Sequence, residues 1–235
     1  ILGTNKGGIA VSYRETGAGL PPVRIALAAA GAHKALEKGI YAVCPSAQLR
    51  LVAPDQLARA RLHSLLWDVD GVAAVGGIDG NGSMEGMAAV ARYARQRDIP
   101  FLGLGAGFAA AVLDYIQDVL GLSVNAADVF VHNGYGRDSC RLLPGSMLAA
   151  AYGQRDIEAQ YIGEYGLRGP YRAQLERAGL RVAAEDPRGD MAAAELARHK
   201  FYVGARFLPA PAPDPLLRAF CAAAEELART RPDGL

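Results

Sequence analysis

Along the first half of the chain, short apolar runs of strand length alternate with longer segments in which apolar residues recur at helical spacing. Val23-Arg24-Ile25-Ala26-Leu27-Ala28 predicts a first buried strand, followed by a helix over 32–41 and a second strand over 48–53. Pro54-Asp55-Gln56-Leu57 reads as the cap of a short helix running to 66. A third strand covers 70–77 and ends in the pair Gly76-Gly77, and a loop through Asn81-Gly82-Ser83 leads into a helix over 84–97. Pro100 then punctuates an apolar run that breaks into Gly103, Gly105 and Gly107, ahead of an apolar helical segment over 108–120. Four strand–helix units in succession predict a parallel sheet with helices on both faces. Ligands of such sheets sit outside the strand C-termini, where Gly76-Gly77 and the 103–107 turn fall.

After Asn125 the strand candidates become shorter and more polar: 129–132, 139–143, 158–165, 180–185 and 191–195, with a short helix over 171–178. A final buried strand covers 200–207, a proline-rich loop 208–215, and an amphipathic helix 216–229. The expected fold is α/β, a mostly parallel central sheet flanked by helices with a small antiparallel addition. Residues 23–235 form one domain in this reading. Residues 1–22 are glycine-rich and form an N-terminal extension, with a short strand over 8–13 packed on a sheet edge.

Composition narrows the function classes. The 25 Lys and Arg residues nearly cancel 24 Asp and Glu, so no global basic field attracts nucleic acid. Apolar runs are interrupted well before 18 residues, which predicts no transmembrane helix, and residues 1–6 lack the pattern of a secretion signal. Cys44, Cys140 and Cys221 are odd in number and far apart, as expected of reduced thiols in a cytoplasmic protein. His33, His63, His132 and His199 are isolated along the chain, so no metal site is expected, and no cofactor is implied.

The 98–108 stretch reads as a buried strand running through a tight turn into a helix. In hydrolases and amidotransferases such a turn displays a nucleophile above the sheet, with helix-start N–H groups placed to hold an oxyanion. The residue at its middle is Gly105, which has no side chain.

Several motifs in order resemble the glutaminase domain of CTP synthase, a class I glutamine amidotransferase with a flavodoxin-like core. They are Val69-Asp70-Gly71-Val72 with Gly76-Gly77, Met84-Glu85-Gly86, Ile99-Pro100-Phe101-Leu102-Gly103 and Val119-Leu120-Gly121-Leu122. Pro144-Gly145-Ser146, Ala151-Tyr152-Gly153, Leu175 to Leu180 and Lys200 to Phe207 continue the likeness, which spans roughly 23–228. The segment 160–167 with Tyr171-Arg172 resembles more closely a stand-alone branch of that family that lacks the synthetase half. The family hydrolyses glutamine with a Cys-His-Glu triad and passes the ammonia to a synthetase site. The resemblance puts Gly105 at the cysteine position, Leu208 at the histidine and Ala210 at the glutamate. It also puts Ala109 where a glutamine follows the nucleophile turn, and the basic residues that hold glutamine are missing around 162–164.

This implies a scaffold without its chemistry. The former pocket, lined by Gly76, Gly77, Gly103, Gly105, Ala106, Tyr161, Glu164, Tyr165 and Leu208, would bind a small molecule or serve a partner enzyme subunit. Glu164, flanked by Tyr161 and Tyr165, would favour a cationic or hydroxylated ligand there, or is a solvated strand carboxylate. The glycine turn is either an anion site or close strand–helix packing. A repurposed enzyme would use Glu164 or Glu85 as acid/base, or Cys140 as nucleophile beside Arg141. Against this, Glu85 suits simple dipole complementation and Cys140 a small buried hydrophobe. A third reading is an oligomerisation module with a vestigial pocket, and a homo-oligomer is expected.

Overall fold

The computed structural model describes residues 2–4, 10–13, 22–30, 33–53, 62–76, 83–131, 136–161, 166–210 and 213–231. Its centre is five parallel strands in the order β4 (Ala47–Val52), β3 (Val23–Ala30), β5 (Gly71–Gly76), β6 (Phe101–Gly105) and β13 (Tyr202–Ala205). Every residue of β5 and β6 is buried, because helices cover both faces and leave no side for polar residues. Helices α1 (His33–Val43) and α8 (Pro215–Thr230) pack against Ile25 and Leu27 on one face. Helices α3 (Ser83–Gln96) and α4 (Ala106–Asp118) pack against Ala26, Ala28, Val72 and Ala74 on the other.

Beyond β13 the sheet reverses. It continues with β12 (Met191–Leu196), β11 (Leu180–Glu185), β8 (Gly136–Leu142), β9 (Asp156–Tyr161) and β14 (Phe207–Leu208), all paired antiparallel. Residues of β9 alternate exposed and buried, the pattern of a strand with one wet face. The sheet curls, since β14 on its far edge follows the central strand β13 in the chain with Arg206 alone between them. At the opposite edge β2 (Ala10–Tyr13) pairs antiparallel with β4, and β1 (Leu2–Thr4) with β2. The predicted edge strand within 1–22 is therefore present as β2.

Some boundaries differ from the sequence expectation for local reasons. The strand expected at 129–132 starts one residue late, at Phe130–Val131 (β7), because Val129 closes the short helix α5 (Ala126–Val129) that a reciprocal capping box between Asn125 and Asp128 holds. Strand β7 pairs with Gly166–Leu167 (β10), ahead of α7 (Gly169–Ala178), and 132 lies outside the described residues. A helix that the pattern does not announce, α6 (Met147–Tyr152), starts where the Ser146 side chain accepts from the Ala149 N–H. The predicted strand 200–207 breaks at Arg206, and the helix expected from 108 begins at Ala106, directly on Gly105. Of the helix expected up to 66, α2 (Leu62–Leu66) is described, and 54–61 lie outside the described residues.

Candidate functional site

Gly105 closes β6 and is the residue immediately before α4, with φ 59° and ψ −111°. A side chain is strained at that φ, so the tight strand-to-helix turn selects glycine. Gly105 has no side chain to cap α4, which leaves the amides of its first turn unclaimed by the residue before them. Gly76 lies beside Gly105 in the register of β5 and β6, so two strand ends meet at this edge. Ala106 is buried against Met87, Ala88 and Ala110. Gly77, Glu164 and Tyr165 lie outside the described residues.

The other two glycines of the turn are required by packing. A Cβ at Gly107 would stand 2.1 Å from the Ala74 carbonyl oxygen, and one at Gly103 would stand 2.7 Å from the Gly107 carbonyl oxygen. Strand and helix therefore touch backbone to backbone, as the close-packing reading of these glycines expects.

Leu208 is half-buried on β14, paired with Gln160 and packed on the core beneath the antiparallel strands. Ala210 is exposed, and its N–H donates to Asp214 Oδ2 at 2.8 Å. Asp214 is buried and organises this segment. Its Oδ1 accepts from the Leu216 N–H at 2.8 Å and the Leu217 N–H at 3.3 Å, and Tyr152 Oη donates to Oδ2 at 3.2 Å. Burial first, and then the adjacent Asp214 carboxylate, push the Tyr152 phenol upward. The Asp-Pro pair before an apolar helix was the available sequence signal for this cap.

Tyr161 is buried at the end of β9. Its ring meets Phe207 edge-on at 6.1 Å, its hydroxyl donates to the Ser139 carbonyl at 3.2 Å, and the Arg206 guanidinium lies 5.3 Å from its centroid. Cys140 is fully buried in the same core, and burial pushes its thiol up to about 11. Activation by Arg141 would have required the opposite shift, and Arg141 instead faces Asp156 at 4.0 Å. Cys140 thus behaves as a small core side chain. Cys44 and Cys221 are also buried. Glu85 is exposed in the first turn of α3, suited to the helix dipole.

Of the histidines, His63 is exposed beside Tyr93 Oη, while His132 lies outside the described residues, as does the side chain of His33. His199 Nδ1 accepts from the Phe201 N–H at 3.3 Å while Nε2 lies 3.3 Å from the Ala94 carbonyl. The neutral Nε2–H tautomer satisfies both, and burial holds its pKa below the ordinary value despite Asp98 nearby.

The polar group that sequence reasoning missed is Arg206. It is 2% exposed, and its Nη1 donates to Asp186 Oδ2 at 3.2 Å and the Met191 carbonyl at 3.3 Å. Together with Tyr161, Asp186, Arg188, Arg137 and Asp138 it lines a cleft of about 330 Å³. An arginine inside an otherwise apolar strand pattern was the signal available. Among the described residues, no group of three or more His, Cys, Asp or Glu could hold a metal ion, and no helix is long and apolar enough to cross a membrane.

This arrangement, a parallel sheet with a glycine strand-to-helix turn and a curled antiparallel addition, is the fold of class I glutamine amidotransferase domains. The glutaminase domain of Trypanosoma brucei CTPS, solved with bound acivicin, superposes with a TM-score of 0.72 at 22% identity, covering 87% of this chain and 94% of that one. A glutamine amidotransferase from Thermotoga maritima gives 0.61 at 13% identity, covering 88% and 99%. In sequence, the chain is 30% identical over 226 residues to CTP synthase of Roseiflexus castenholzii, covering 84% of this chain and 40% of that protein. It is 32% identical over 209 residues to CTP synthase of Rubrobacter xylanophilus, covering 76% and 37%. The chain thus spans about two fifths of the length of the curated relatives it matches. No protein-family model matches it. The chain is a glutamine amidotransferase-like domain related to CTP synthases.

Proposed function

We propose that this domain is a degenerate glutaminase: a class I amidotransferase scaffold that does not hydrolyse glutamine and acts as a cytoplasmic binding or partner-serving module. The observation that carries the reading is Gly105, which occupies the strained turn between β6 and α4 at φ 59° with no side chain to attack an amide. Leu208 and Ala210 stand at the positions assigned to the base and its orienting acid, and neither carries a titratable group. A triad acts as a unit, so what is left is oxyanion stabilisation and positioning alone. The relatives are more than twice as long as this chain, which supports a synthetase-type partner for the module.

Ammonia release from glutamine tests the proposal. The expected result is no release above the rate without protein. Release that Cys140→Ser abolishes would overturn it. The triple variant Gly105→Cys, Leu208→His, Ala210→Glu is the positive arm, and a gain of ammonia release there places the lost chemistry at these three positions.

A further inference from the structure

We propose that the cleft between the paired strands β8 and β9 and the turn joining β11 to β12 is a binding site for a small organic carboxylate, seated on the guanidinium of Arg206. The inference goes beyond the loss of chemistry at Gly105 and concerns a different group of residues. It begins with an unmade hydrogen bond. Arg206 is buried, both of its side-chain hydrogen bonds are made by Nη1, and its Nε–H is buried with no acceptor among the described residues. Buried donors are nearly always paired, and leaving one unpaired costs about 1–3 kcal/mol. The missing acceptor therefore points to something that enters from the cleft Arg206 lines.

The surroundings select the acceptor. With Nη1 engaged, the edge of the guanidinium left over is the planar one carrying Nε, which matches two coplanar carboxylate oxygens. Arg188 and Arg137 line the same cleft. Asp186 does not present a bare opposing charge, because its Oδ1 accepts the N–H groups of Arg188 at 3.0 Å and Asp190 at 2.9 Å, and its Oδ2 takes Arg206. Asp138 also lines the cleft, so the preference for a carboxylate over a tetrahedral anion rests on the planar guanidinium edge and not on charge. Tyr161 and Pro187 supply an apolar wall for a carbon skeleton. The arginine is held in place before any ligand arrives: its N–H bonds the Ala192 carbonyl at 2.9 Å where the chain passes from β13 to β14, and its guanidinium lies over Tyr161.

The test is calorimetric titration of the full chain with succinate, acetate and inorganic phosphate. Saturable succinate binding, tighter than phosphate, is expected. Arg206→Lys keeps the charge but loses the fork and should weaken succinate by at least about tenfold. Arg188→Gln, whose side chain is 63% exposed, should weaken it several-fold and leave the ligand-free Tm unchanged. If Arg206→Lys does not fold, Arg188→Gln and Arg137→Glu decide. Absence of saturable carboxylate binding up to about 10 mM, phosphate binding as tight as succinate, or unchanged affinity in Arg188→Gln would each overturn the proposal. Ammonia release is a separate readout, so this site and the Gly105 reading can fail independently.

Discussion

The parallel and antiparallel halves of the sheet solve burial in different ways. Around β5 and β6 the chain uses alanine and glycine, and α4 comes so close to β5 that Gly107 admits no Cβ. Buried acids near this half are answered by arginines that reach the surface: Asp114 is fully buried, but Arg92 and Arg95 remain 24% and 13% exposed. In the antiparallel half the cation itself is buried, since Arg206 and Asp186 are 2% and 4% exposed at the side chain. The first half depends on shape. The second depends on an ion pair that keeps a donor in reserve, and a carboxylate ligand is the reading that uses it.

The largest expected effect is in the antiparallel half. Asp186→Asn leaves the Arg206 charge buried without its partner and should cost about 3–5 kcal/mol, measured by urea unfolding. The double replacement Asp186→Leu with Arg206→Met should recover most of that loss, because it removes both charges at once. Equal losses in the single and double variants would show that the pair itself is not the cause. In the parallel half, Gly107→Ala should cost about 3 kcal/mol, because the clash is with the Ala74 backbone, which cannot rotate aside. Gly105→Ala should cost less, about 1–2 kcal/mol, since its penalty is one strained φ. A reversed order of these two would show that turn geometry, more than helix approach, governs this half.

The smallest effect concerns pH. The folded pKa of His199 lies below its ordinary value, chiefly through burial, so the fold favours the neutral ring. The stability this contributes is present above the ordinary value of about 6.5 and is lost as pH falls through it toward the folded pKa. Between about pH 7.5 and about pH 5.5 the native chain should therefore lose more Tm than His199→Gln. Parallel pH profiles would remove His199 from the account.

Much of this molecule was readable from residue pattern. Apolar runs identified the β3, β5 and β6 strands because a strand covered on both faces has few polar positions to confuse the signal, Arg24 near the start of β3 being one. Glycine spacing located the strand-to-helix turn, because few other residues survive a positive φ or a backbone contact. Short elements were less legible. Helix α5 is set by the Asn125–Asp128 box and α6 by a cap at Ser146, and four or six residues carry too little periodicity to announce themselves.

The candidate site divides in the same way. The amino-acid order by itself determined that Gly105, Leu208 and Ala210 carry no nucleophile, base or orienting acid, since side-chain chemistry belongs to the residue wherever it is placed. Whether a thiol is exposed, or which charge an arginine meets, depends on contacts between segments far apart in the chain. Only the tertiary structure put Cys140 in the core and turned Tyr161 toward Arg206. It also brought Arg206 to Asp186, 20 residues away in sequence, at the point where a single strand pattern bends between two parts of one curled sheet.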